Sequence, residues 1–475
     1  MQRISTTHYY VPTLIFLFFL GFYLFTAKGV LHIGDSMVNF QTTRSLVEDR
    51  SLAVTCDIVD AFVVQNENGR CYSKYDPGLP VTAIPLYLVG RFLGGHDPAD
   101  MYTVSWPKLF ASTLSQIVTA ATCAVLYILA LHIGKDEMTA FGTAFLFGMA
   151  TIAWPYAGLF FSQSLVAFLL TLAVTLLVIT SPQNKKALIG AGLALGWACF
   201  TRLDAVPLVF LVIAYALYRQ KRAGRGWRGG ITAVLLLILP TLTATVLYFA
   251  ANLLRTGSPF QVGYQNEGWT TPFLTGLAGL LISPGKGIIF YSPLSLLAAI
   301  GLIKLWQKGW RAEVLLIGGL AAAQIATYAS WWAWEGGESW GPRLILSTQA
   351  LLMVGLIPWL DNTLPRPILF VAAAAGFLVQ IIGAFSETGI FLERTPFTYE
   401  QTLFYWRASP IWGQLQDMLN RKYAFLLANR GYGLFSTSHT LLWMLVSVTL
   451  MFGSLWLLRT YFREKEVALQ EIAHD

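Results

Sequence analysis

The chain has 475 residues, of which 55% are hydrophobic and only 12% charged, with a formal net charge of +7. So much apolar surface cannot be hidden inside one water-soluble core, which excludes a soluble enzyme. The positive charge is placed as a topology signal, with no stacking-plus-basic groove, and gives no reason to expect nucleic acid as a partner.

Apolar runs of roughly 17–25 residues cross about 30 Å of hydrocarbon as a helix. Such runs recur near 11–30, 105–131, 138–155, 161–180, 187–201, 204–218, 231–253, 288–303, 313–332, 344–360, 367–385 and 438–458. They predict an all-α polytopic membrane protein of about twelve transmembrane helices. The first run lacks a small-residue cleavage site and is read as a retained helix. The fifth and sixth are short, and as a pair between charged loops they fit a tight hairpin with Arg202 and Asp204 at its tip.

Basic residues resist translocation, so short loops rich in Lys and Arg stay inside. With the N-terminus inside, the inner loops hold Lys135, Lys185, Lys186, Arg219, Lys221, Arg222, Arg225, Arg228, Lys304, Lys308, Arg311 and Arg366. The short outer loops hold only Arg202, Arg255, Lys286 and Arg343. Both termini are then expected in the cytoplasm, and the chain in the inner (plasma) membrane.

The long first outer loop, 31–104, opens with His-Ile-Gly-Asp-Ser at 32–36, placing Asp35 at the water–lipid boundary, with His32 the one histidine to watch. Met37, Phe40, Leu46 and Val47 alternate with Arg44, Glu48, Asp49 and Arg50 at near-helical spacing, as in an amphipathic juxtamembrane helix. A second such element runs from Leu79 to Leu93. Between them, Gly-Arg-Cys-Tyr-Ser-Lys-Tyr-Asp-Pro-Gly at 69–78 is either a surface turn or a segment whose Lys74 and Tyr75 line a substrate. Cys56 and Cys71 share this loop and are either a disulfide or two free thiols. No cysteine pair has zinc-ligand spacing, and no metal is assigned.

Arg202 and Asp204 either neutralise one another or line a substrate path. Segment 331–343 reads Trp-Trp-Ala-Trp-Glu-Gly-Gly-Glu-Ser-Trp-Gly-Pro-Arg. An interfacial belt explains its tryptophans but not Glu335, the glycines or Arg343. Glycines admit a ligand close to the backbone, an indole such as Trp334 stacks on sugar rings, and a guanidinium holds phosphate with two donors. Together they suggest a pocket for something polar, partly ring-shaped and anionic. Ser-Pro-Gly-Lys-Gly at 283–287 lacks the second half of a nucleotide phosphate loop.

The acidic residue directly after the first helix, the two surface helices, the Tyr-x-Lys-Tyr-x-Pro-Gly segment, Thr-Arg at 201–202, Ser-Pro-x-Lys-Gly at 283–287 and Gly-Gly-x-Ser-x-Gly-Pro-Arg at 336–343 stand in an order that resembles the GT-C superfamily. These are polyprenyl-phosphate-sugar-dependent glycosyltransferases, related to protein O-mannosyltransferases and lipid A aminoarabinose transferase. The resemblance implies a GT-C-like catalytic module over 1–360. It leaves 361–475 as C-terminal transmembrane helices with an outer loop at 386–437 and a cytoplasmic tail.

It implies transfer of a monosaccharide from a polyprenyl-phosphate donor to a lipid, glycan or protein acceptor at the outer face, by inverting displacement. Asp35 would be the general base, with Arg343 first, then Lys286 and Lys74, as cations for the carrier phosphate. Ser36 stands where the family often has a second acid, which favours a metal-independent reaction, with a divalent metal possible but not indicated. For Asp35 the alternative is capping of the next helix, and for Arg343 an interfacial snorkelling arginine. A transporter or flippase of a lipid-linked saccharide would show related halves and broken midplane helices. A polysaccharide polymerase or ligase would use the basic 386–437 loop, with Arg394, Arg407, Arg421, Lys422 and Arg430.

Overall fold

A computed structural model describes residues 7–29, 31, 34–57, 62–98, 103–264, 267–420, 422–429 and 433–474. His32, Arg421 and Arg430 lie outside the described residues. Each of the twelve apolar runs holds a helix among the described residues. In chain order the main helices are α1 (Thr7–Phe25), α2 (Gly34–Glu48), α3 (Gly78–Gly94), α4 (Trp106–Gly134), α5 (Glu137–Ala150), α6 (Ser162–Ile179) and α7 (Lys185–Thr201). They continue with α8 (Val206–Arg222), α9 (Gly226–Thr256), α10 (Phe273–Ile282), α11 (Leu294–Gln307) and α12 (Arg311–Ala329). The helical segment Arg343–Leu360 is α13, followed by α14 (Arg366–Phe385), α15 (Thr388–Arg394), α16 (Tyr399–Phe404), α17 (Pro410–Leu419) and α18 (Thr437–His474). Among the described residues eight helices are long and apolar enough to span a membrane. Helices α1, α5, α7 and α11 lie in the remaining four apolar runs.

Local chemistry sets the helix ends. Ser105 caps α4 by accepting from the Lys108 N–H, and Lys135 closes it in the left-handed region at φ 64°. The Asn184 side chain caps α7, and Thr398 and Gln401 form a reciprocal capping box on α16. These side chains take up donors that the first helical turn leaves without partners.

Helices α7 and α8 follow one another through the short turn at Arg202–Ala205, but they do not close as the tight hairpin expected: they scarcely touch each other, and α9 packs on both of them. Small residues permit that approach, because a Cβ at Gly192 would stand 2.8 Å from the Leu236 carbonyl and one at Gly196 2.8 Å from the Pro240 carbonyl. Close backbone contact of this kind replaces the hydrophobic drive that lipid does not supply.

In the first loop, α2 and α3 flank a three-stranded antiparallel sheet of β1 (Ala53–Val54), β2 (Val63–Gln65) and β3 (Cys71–Ser73), in spatial order β1-β3-β2. The two cysteines are joined as a Cys56–Cys71 disulfide. The second surface element, α3, buries Leu79, Ala83 and Tyr87. In α2 burial does not divide apolar from polar residues as expected. Asp35, Ser36, Asn39, Gln41, Thr42, Thr43 and Ser45 are buried with Val38 and Phe40. Hydroxyls of Thr42 and Thr43 donate back to the carbonyls of Val38 and Asn39, which lets α2 enter the protein and not merely lie on lipid.

The disulfide closes a loop of sequence separation 15. Replacing both cysteines with serine is expected to destabilise by about 3 kcal/mol in the chain-entropy account. Thermal unfolding in detergent checks this: a reducing agent should lower the midpoint of the wild type and leave that of the double variant unmoved.

Candidate active site

Asp35 lies in the first turn of α2, where a negative charge also suits the helix dipole. Its carboxylate reaches residues far away in sequence. Oδ1 accepts from the Tyr75 hydroxyl at 2.6 Å, and Oδ2 accepts from Arg343 Nη1 at 2.6 Å. The Asp35 and Arg343 side chains are only 10% and 11% exposed, so this is a buried ion pair. The Arg343 guanidinium also lies 4.8 Å from the centre of the Phe161 ring, within cation–π range. Arg343 is thus turned into the protein, paired and stacked.

Tyr75 is positioned through its backbone. Arg255, itself buried, donates from Nη1 to the carbonyls of Ser73 and Tyr75. Gly78 lies against Thr201, where a Cβ would meet Oγ1 at 2.4 Å and Cα at 2.5 Å. The Asp76 carboxylate accepts from the Leu203 N–H at 3.0 Å. These contacts seat the 73–78 turn on the junction between α7 and α8. Burial pushes the Asp76 carboxyl up to about 6 against the pull of Arg255, and burial together with the Asp35 charge holds the Tyr75 phenol well above its ordinary value. Tyr75 is therefore a proton donor throughout the physiological range.

On the other side, Gly336 and Gly337 adopt φ of +74° and +68°, in the left-handed region. A Cβ at Gly336 would come within 2.9 Å of the Arg343 side chain. Only glycine gives the turn that shape while leaving the guanidinium its path. The Arg343 Nε is buried and has no hydrogen-bond partner among the described residues.

The other expected residues occupy distinct settings. Lys74 pairs with Glu267 at 2.9 Å, with its ammonium 5.5–5.8 Å from the ring centres of Phe62, Tyr75 and Tyr264. It lies beside the Asp35 group, as the neighbour of Tyr75. Lys286 is 2% exposed and donates from Nζ to the carbonyls of Gly337 and Ser339 at 2.7 and 2.6 Å, fastening the turn that leads to Arg343. Burial pushes its ammonium down to about 7, opposed by Glu335. Glu335 is half-buried, and burial raises its carboxyl in turn.

Trp334 is a packing residue, buried among Leu280, Ile288, Tyr328, Leu344 and Leu403. Arg202 is fully engaged: Nε donates to Asp204 Oδ1 at 2.8 Å, Nη1 to Ser162 at 3.1 Å and Nη2 to Tyr328 at 2.7 Å. Tyr328 and Gln324 complete the set by donating to Asp204 Oδ2. Of the eight site residues expected from sequence, Asp35, Tyr75 and Arg343 are in direct contact and Lys74 adjoins them. Among the described residues no three His, Cys, Asp or Glu side chains gather closely enough to hold a metal ion.

Sequence reading missed Glu267. Its Oε1 takes Lys74 and its Oε2 accepts from the Trp332 indole at 2.9 Å, while the Trp332 N–H donates to the Gly268 carbonyl, so the loop before α10 bridges the 73–78 turn and segment 331–343. The available signal was isolation: Glu267 is the one acid between Asp204 and Glu313.

No protein-family description and no curated protein matches the chain. Solved structures do match by fold. ArnT from Cupriavidus metallidurans in the apo state aligns with 14% identity and a TM-score of 0.49, over 94% of this chain and 75% of that one. The oligosaccharyltransferase AglB of Archaeoglobus fulgidus, solved with an inhibitory peptide and a dolichol-phosphate, aligns with 11% identity and a TM-score of 0.51, over 86% of this chain. The chain spans 61% of the length of that archaeal protein. The apo form of the same oligosaccharyltransferase gives a TM-score of 0.50 at 10% identity. This multi-pass chain thus shares its fold with the archaeal oligosaccharyltransferase AglB.

Proposed function

We propose that this chain is a membrane glycosyltransferase that moves a sugar from a polyprenyl-phosphate carrier to a lipid, glycan or protein hydroxyl with inversion. The observation that carries the reading is the Asp35 carboxylate held between the Tyr75 hydroxyl and the Arg343 guanidinium. An archaeal protein of the same fold holds a dolichol-phosphate, which supports a lipid-phosphate donor. In the reaction the acceptor oxygen bonds to the anomeric carbon, the bond from that carbon to the phosphate oxygen breaks, and the acceptor proton passes to Asp35. The carrier phosphate leaves with the bonding electrons and is stabilised by Arg343, whose guanidinium commits Nη1 to Asp35 and leaves Nη2 without a partner among the described residues.

Charge distribution supports placing the site outside and both termini in the cytoplasm, since the basic loops lie at the opposite ends of the helices. The disulfide in the first loop supports the same side, because such bonds persist in oxidising compartments.

The test is purified protein in lipid, supplied with polyprenyl-phosphate monosaccharides and membrane extract and scored for new glycosidic bonds. A change in the sidedness of the sugar lipid without a new bond would replace this reading with a flippase.

Lys74 completes the phosphate site once Glu267 releases it. Until then the Glu267 carboxylate occupies the place on the ammonium that a phosphate oxygen would take. Glu267→Gln keeps an acceptor for Trp332 and removes the competing charge, so the donor KM should fall several-fold with kcat little changed. A raised KM would mean that Glu267 serves to hold Lys74 in place.

A further inference from the structure

The connection between α8 and α9 carries a feature that transfer chemistry does not use. Helix α8 begins beside the Arg202–Asp204 network, and its 17 residues place Arg222 about 25 Å away along the axis. There the C-terminal turns of α8 and the N-terminal turns of α9 leave a groove of about 730 Å³. That volume falls within the range of about 300–1,000 Å³ typical of ligand sites.

Its floor is apolar, formed by Leu217, Ile231, Val234 and Leu235 with Gly230 between them, and Trp227 stands 72% exposed at its mouth. Lys221 and Gln220 line its polar end, and Arg222, Arg225 and Arg228 stand in the same connection outside the lining; none of the four cations makes an ion pair among the described residues. Arg222 reaches only the Tyr218 hydroxyl, and Arg228 lies over the Trp227 ring at 5.9 Å. No acidic residue occurs from 205 to 266.

Topology alone calls for cations in this loop but not for an apolar trough beneath them or an exposed indole beside it. We infer that the groove binds one anionic phospholipid of the adjacent leaflet, an acyl chain lying along Leu217, Ile231 and Val234 and the phosphate held by Lys221, with the other cations of the connection adding attraction from outside the groove. Basic groups at a membrane surface attract anionic head groups, and an indole suits the glycerol level of the bilayer. The inference is independent of the transferase reading.

The test is native mass spectrometry of the full-length protein titrated with dioleoylphosphatidylglycerol or dioleoylphosphatidylcholine. The first phosphatidylglycerol adduct should form at clearly lower lipid concentration than the phosphatidylcholine adduct. The triple variant Lys221→Gln, Arg225→Gln, Arg228→Gln should weaken it by about tenfold or more. Because removing loop cations also alters insertion, Val234→Phe provides a second arm: it keeps every charge, fills the floor and should likewise weaken the adduct. Equal retention of the two lipids, or an adduct indifferent to both variants, overturns the inference. Displacement by inorganic phosphate alone would reveal a simple anion site and overturn the lipid assignment.

Discussion

Replacing Asp35 with asparagine is expected to lower sugar transfer by about 10²–10⁴-fold, the range that one positioned general base supplies. The substituted amide would still offer one carbonyl oxygen to Tyr75 or Arg343, but not to both. Its nitrogen would set N–H groups against the guanidinium. The buried Arg343 would then lack its counter-charge, and breaking such a pair costs about 3–5 kcal/mol. Loss of activity alone would therefore not separate chemistry from folding.

The double variant Asp35→Asn, Arg343→Gln removes both charges and should recover much of the thermal stability lost by the single variant. Catalysis should stay absent in it. Transfer by Asp35→Asn within a few-fold of wild type, in protein that melts normally, would remove Asp35 as the base. Tyr75→Phe adds a gentler probe, because it leaves the ion pair intact and takes away the hydroxyl that fixes the direction of Oδ1.

Membrane character was legible because it depends on run length and composition, which survive without knowledge of contacts. Each of the twelve runs holds a helix, while the short pair at 187–218 packs on α9 and not as a tight hairpin on itself, since spacing does not say which neighbour a helix chooses. Spacing could not reveal partners separated by hundreds of residues. Asp35 and Arg343 lie 308 positions apart, and motif order linked them only through a resemblance.

Composition does not show which of these side chains have partners inside the protein. Lys286 reads as a phosphate cation, yet its ammonium is occupied by two carbonyls of the 336–339 turn. Trp334 reads as a sugar platform and is packed in a core. Arg202 left two readings open, and its three hydrogen-bond partners satisfy it within the protein. The buried polar residues of α2 defeat a simple amphipathic pattern for the same reason, since hydroxyls that bond to their own helix can be buried at little cost.

Arg343→Lys is expected to reduce kcat by about 10²–10³-fold although the positive charge is kept. The guanidinium is a planar fork: Nη1 is committed to Asp35, the ring of Phe161 lies beneath, and Nη2 has no partner among the described residues. One side chain can thus orient the base and still present a donor to the leaving phosphate. A lysine ammonium is a point charge on a flexible stem and cannot keep both directions or stack on the ring. If it stays on Asp35, the phosphate loses its donor; if it follows the phosphate, the base loses its orientation. Arg343→Ala should fare worse in stability, because it leaves the Asp35 carboxylate buried with only Tyr75. Comparing kcat, KM and melting temperature across the two variants separates the roles. Near-normal kcat in Arg343→Lys, with Arg343→Ala merely unstable, would confine Arg343 to the ion pair and return the phosphate to Lys74.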